Sequence, residues 1–135
     1  MGKQVLLIED EPNIIEAIRF ILTRDGWAVS SHSDGANAVA VVQERRPDLV
    51  ILDVMLPNRS GFDILADLRA DPALADLPVM MLTARGQARD RAQAEQAGVS
   101  RFMTKPFANA EILAAVRELA GPSEGANAAR EPDQP

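Results

Sequence analysis

At 135 residues, with 47% hydrophobic and 25% charged side chains, the chain has the size and composition of one globular domain and no room for a second folded module. Its net charge of −6 disfavours direct contact with nucleic acid; with no cysteine and only one histidine, His32, disulfides, thiolate sites and histidine clusters are excluded, so any metal must bind through oxygen. No apolar run is long enough to span a membrane and Met1 to Gln4 lacks the zones of a secretory signal, so a cytoplasmic location is expected.

Val5 to Ile8 is continuously apolar, as a strand covered on both faces requires, and the same holds for Leu49 to Leu52 and Val79 to Leu82. These three are expected as central parallel strands. Ala28 to Ser31 and Ser100 to Thr104 carry polar residues and suit the sheet edges. Between them lie helical stripes: Ile14, Ile15, Ile18, Ile21 and Leu22; Ala38, Val39 and Val42; Ile64, Leu65 and Leu68; and Ile112, Leu113, Val116 and Leu119. Pro12 fits a first turn, Asp34 is a candidate N-cap for the second helix, Pro47 closes that helix and Gly98 ends the fourth. The fourth helix, about Gln87 to Ala97, offers an apolar side of only Ala88, Ala92 and Ala97, so loose packing is expected there. The alternation predicts an α/β three-layer (βα)5 sandwich with sheet order 2-1-3-4-5, occupying residues 1–120. From Gly121 to Pro135 no apolar side chain exceeds alanine, which predicts a disordered tail.

In such a sheet the functional crevice lies beyond the carboxyl ends of the strands. Strand one ends in Glu9 and Asp10, strand three in Asp53, strand four in Thr83 and Ala84, and strand five leads to Lys105 and Pro106. Clustered carboxylates repel by about 4 kcal/mol per close pair at an effective dielectric near 20, so they call for cations, of which Lys105 is one and a hard divalent ion such as Mg2+ another. A carboxylate beside such an ion can attack phosphorus, and Asp53 is the candidate nucleophile. Lys105 and the Thr83 hydroxyl would neutralise phosphoryl oxygens while Ala84 keeps the approach open. Taken singly, Asp10 could start a helix, Thr83 cap one, Lys105 be a solvated charge and Phe102 be ordinary core; convergence on one crevice favours the functional reading. His32, on an edge strand, is read as far from that site.

The stretches Val5-Leu-Leu-Ile-Glu-Asp-Glu11, Asp53-Val-Met-Leu-Pro57 with Gly61, Met81-Leu-Thr-Ala-Arg-Gly86 and Thr104-Lys-Pro-Phe107 resemble response-regulator receiver domains of two-component systems, most closely the OmpR/PhoB-like receivers. The resemblance covers about Gln4 to Ala120 and implies a flavodoxin-like fold. It implies Asp53 as phosphoacceptor, and Glu9, Asp10, Asp53 and the Met55 carbonyl as ligands of Mg2+, with Mn2+ as a substitute and Glu9 acting through water. It further implies Thr83 and Phe102 as a switch pair and Lys105 as the phosphate contact, aimed by a cis peptide to Pro106. The expected role is a phosphorylation-dependent response regulator, catalysing only its own phosphorylation and dephosphorylation. A histidine kinase or phosphotransfer protein would supply the phosphoryl group, and an output protein would bind the face built from the fourth helix, fifth strand and fifth helix.

Two departures bear on assembly. Arg101 stands where those relatives commonly have aspartate and Ala115 where they commonly have arginine, although Arg91 and Glu111 remain; this predicts a monomer or weak dimer. A stand-alone receiver is expected, since a DNA-binding module does not fit. Phe102 replaces the commoner tyrosine. The competing readings are an aspartyl-phosphate hydrolase, disfavoured because Met55 stands where a second acid is wanted, and a phosphorylation-independent adaptor, disfavoured by the intact acidic, threonine and lysine positions.

Overall fold

The computed structural model describes residues 3–84 and 88–121. Ten elements alternate along the chain: β1 (Gln4–Ile8), α1 (Pro12–Arg24), β2 (Ala28–His32), α2 (Ala38–Arg45), β3 (Leu49–Asp53), α3 (Gly61–Ala70), β4 (Val79–Thr83), α4 (Ala88–Gln96), β5 (Arg101–Thr104) and α5 (Asn109–Ala120). The strands form one parallel sheet in the order β2-β1-β3-β4-β5, as the alternation predicts. Every residue of β3 and β4 is buried, whereas β2 and β5 carry exposed positions, so the apolar runs mark the centre and the mixed runs the edges.

Successive strand residues point to opposite faces and therefore feed two separate cores. Leu6, Ile8, Val50, Leu52, Val79, Met81 and Phe102 pack with side chains of α2, α3 and α4, while Val5, Leu7, Leu49, Ile51, Met80, Leu82 and Met103 pack with α1 and α5. Each fully buried aliphatic side chain contributes about 1.5–3 kcal/mol, so the two layers hold the strand ends rigidly in register.

Helix punctuation agrees with the sequence at α1, where Pro12 occupies the first turn, and after α4, where Gly98 has φ 92°. It differs at α2. The cap position there is Asn37, and Asp34 instead accepts hydrogen bonds from the Ala36 amide and the Asn58 side chain, because α2 starts too late for Asp34 to reach its free N–H groups. Among the described side chains of α4 the buried alanine is Ala94, and Ala92 is exposed. The Ala92 expectation followed apolar composition, and Ala94 packs where a small residue meets the sheet. The tail proposed from Gly121 falls on residues 122–135, and Arg85 and Gly86 of the third motif and Gln87, the expected start of the fourth helix, also lie outside the described residues.

Candidate functional site

The carboxyl ends of β1, β3, β4 and β5 meet at one edge of the sheet. Glu9 follows β1 and is fully buried; its amide donates to the His32 carbonyl at 3.0 Å, and its Oε2 accepts from the Glu11 amide at 3.2 Å. Asp53 ends β3, is 3% exposed, and its Oδ1 receives the Met55 amide at 3.4 Å. Behind it the backbone turns tightly into α3: the Gly61 amide donates to the Val54 carbonyl at 2.8 Å, and a Cβ at Gly61 would lie 2.3 Å from the Asp53 carbonyl oxygen. Only glycine fits, so α3 can start directly beneath the aspartate.

Glu9, Asp10 and Asp53 each offer a carboxylate oxygen within 4.8 Å of the others, with Asp10 exposed and the other two buried. Lys105 closes the cluster. Its Nζ donates to Glu11 Oε1 at 3.0 Å and lies 3.0 Å from Glu9 Oε1 and 3.6 Å from Asp53 Oδ1. The approach to Glu9 Oε1 is angled poorly for a hydrogen bond, so that buried oxygen is matched in charge but has no hydrogen-bond donor among the described residues. Thr83, buried at the end of β4, is joined to this edge through its carbonyl, which accepts the Lys105 amide at 2.7 Å. The Lys105–Pro106 peptide is cis, as the resemblance implies, and Ala84 is exposed.

Burial pushes the Asp53 carboxyl up to about 7, the neighbouring Glu9 charge adds to the rise, and Lys105 opposes it. For Lys105, burial works against the ammonium, but Glu11, Glu9 and Asp53 outweigh it and hold its pKa above the ordinary lysine value. One ammonium therefore does not neutralise the cluster. A donorless buried Glu9 oxygen, a reluctantly ionised Asp53 and the open side of Asp10 together fit a hard divalent cation with oxygen ligands.

Phe102 pairs in register with Met81, is 9% exposed, and has the Arg91 guanidinium 5.0 Å from its ring centroid. His32 is nearer the site than its edge strand suggests, since its carbonyl holds the Glu9 amide, but its ring pairs with Asn37 Oδ1 at 2.7 Å. The contact that sequence reasoning missed is Glu11 on Lys105. Its signal in the sequence is the unbroken acidic run Glu9-Asp10-Glu11.

The family model for the response regulator receiver domain matches residues 5–117. The chain belongs to the response-regulator receiver family. It is 44% identical over 113 residues to the transcriptional regulatory protein KdpE of Mycobacterium tuberculosis, covering 84% of this chain and 49% of KdpE. To the phosphate regulon regulator PhoB of Escherichia coli it is 37% identical over 119 residues, covering 88% of this chain and 52% of PhoB. The receiver thus spans about half the length of the curated relatives it matches. Among solved structures, the receiver domain of the sensor histidine kinase PA1611 from Pseudomonas aeruginosa, which holds a magnesium ion in its active site cleft, superposes with a TM-score of 0.82 at 30% identity, covering 90% of this chain and 99% of that one. Receivers are the phosphorylation-dependent switches of two-component signalling, and that coarse role extends to this domain. Among the described residues, no helix is long and apolar enough to cross a membrane.

Proposed function

We propose that this receiver accepts a phosphoryl group on Asp53 from a histidine kinase or phosphotransfer protein, in a Mg2+-dependent reaction in the cytoplasm, and passes the signal to an output protein. The observation that carries this reading is the placement of one nearly buried carboxylate, Asp53, between two further carboxylates and an ammonium 3.6 Å away. Glu9, Asp10, Asp53 and the Met55 carbonyl would hold Mg2+, Glu9 through water, with Mn2+ as a substitute. The bound ion would supply positive charge against the carboxylates and the phosphoryl oxygens.

An Asp53 oxygen attacks phosphorus, the P–N bond to the donor's histidine breaks, and its electron pair returns to the imidazole, which takes up a proton. Lys105 then exchanges a carboxylate partner for a phosphoryl oxygen and Thr83 donates its hydroxyl to another. Drawing Thr83 inward opens space beside β5 into which Phe102 turns, and the face formed by α4, β5 and α5 changes shape. The domain is a switch that catalyses only its own phosphorylation and dephosphorylation.

The test is incubation with acetyl phosphate and Mg2+, read by intact mass. Wild type should gain one phosphoryl group that hydroxylamine and base remove, and Asp53→Asn and EDTA-treated protein should gain none. Equal phosphorylation of Asp53→Asn would overturn the assignment.

A further inference from the structure

Two loops support the acidic edge of the sheet without adding a carboxylate to the cluster. One runs from β2 to α2 and the other from β3 to α3. They are stitched together at several points. Asp34 Oδ1 accepts from the Ala36 amide at 2.8 Å and from Asn58 Nδ2 at 2.9 Å, and the Gly35 amide donates to the Pro57 carbonyl at 3.0 Å. The fit at Gly35 is close, since a Cβ there would lie 2.5 Å from the Arg59 carbonyl oxygen. Asn58 has φ 72°, a left-handed conformation that asparagine tolerates better than most residues but that is still uphill without a local bond. The two hydrogen bonds from Ala36 and Asn58 lower the Asp34 pKa, so both favour its ionised form. The end of β2 also holds the Glu9 amide on the His32 carbonyl. The β2–α2 segment therefore touches the backbone of Glu9 on one side and the stretch just after Asp53 on the other.

We propose that Asp34 is a positioning residue for the metal and phosphoryl site, because it holds Asn58 in its left-handed turn and thereby fixes the course of the backbone from Met55 to Pro57. This rests on the reading of Glu9, Asp10, Asp53 and the Met55 carbonyl as the Mg2+ ligands. A carbonyl on a wandering segment is in place for only a fraction of the time, and the apparent affinity falls by that fraction. Supporting partners of metal ligands typically matter at the level of about 10-fold or more in affinity.

The experiment is an NMR titration with Mg2+ alone of wild type, Asp34→Ala, Asp34→Asn, Asn58→Ala and the double alanine variant, with amide exchange of residues 55–60 followed in EDTA. Asp34→Ala and Asn58→Ala should each weaken Mg2+ binding by about 10-fold, the double variant no further, and Asp34→Asn should stay close to wild type because its amide oxygen can accept the same two bonds. In metal-free Asp34→Ala, exchange across residues 55–60 should accelerate. Unchanged Mg2+ affinity in Asp34→Ala and Asn58→Ala, beside a normal wild-type response, would overturn this inference alone. Asp34→Asn as weak as Asp34→Ala would assign the effect to charge and overturn it too. A wild type without any Mg2+ response would overturn the metal reading, and this inference with it.

Discussion

Asp53 is the residue at which chemistry and stability pull against each other. Its nucleophilic form is the ionised one, yet burial and the Glu9 charge push its pKa up to about 7 in the metal-free domain, against about 3.9 for an unfolded aspartate. A folded pKa above the unfolded one means that the unfolded state gives up its proton first. The resulting penalty is absent below about pH 4, grows between pH 4 and 7, and is complete above that. Asp53→Asn should therefore stabilise the metal-free domain by about 2 to 4 kcal/mol at pH 8 and leave it nearly unchanged at pH 4. Urea unfolding in EDTA at the two pH values measures this, and an equal gain at both would show that ionising the buried Asp53 beside Glu9 is not its source. The residues of this cluster were legible in the sequence because each sits immediately beyond an apolar run, where a parallel sheet must expose its ends. The link between Asp34 and Asn58 was not, since nothing in a linear pattern says which loops lean on one another.

At the scale of elements, α4 is held at one end. Among its described side chains only Ala94 is buried, whereas its C-terminal turn is tied to the rest of the molecule by Arg69. That guanidinium, on α3, donates to the Gly98 carbonyl at 2.7 Å, to the Leu77 carbonyl at 2.7 Å and to Ser100 Oγ at 3.3 Å, and its side chain lies against Gly98. Amides of α4 should exchange faster than those of α1, α3 and α5. Arg69→Ala should cost about 2–3 kcal/mol by stranding carbonyls that now have charged donors, and should extend fast exchange through Gly98. Hydrogen exchange on both proteins tests this; protection in α4 equal to that in α5 would show that the helix is anchored by more than its last turn. The three central strands were legible from composition because burial on both faces forces unbroken apolar runs, and the two edge strands from their mixed ones. The loose helix was legible only as an absence, so its expected apolar side of Ala88, Ala92 and Ala97 left out Ala94, which packing selects.

For the molecule as a whole, two arginines on the surface of α4, β5 and α5 are engaged within the chain. Arg101 pairs with Glu118 at 2.5 Å, Arg91 lies over the Phe102 ring, and Ala115 is buried on the inner side of α5. With those groups engaged within one chain, crossed ion pairs to a second copy have little to recruit. Sedimentation should therefore give a monomer with and without beryllofluoride, and a tight dimer formed on beryllofluoride addition would show that apolar contacts on this face outweigh the missing charges. A different feature governs how the domain can be handled. Lys3 Nζ donates to the Ala120 carbonyl at 2.6 Å, so the chain enters the sheet and leaves the last helix at nearly the same point. Because all five strands run parallel, that point is the pole opposite Glu9, Asp53 and Lys105. The fold is thus almost a closed ring with its seam at the base, and a tether attached through that seam would pull on the molecule without shading the carboxylates at its crown.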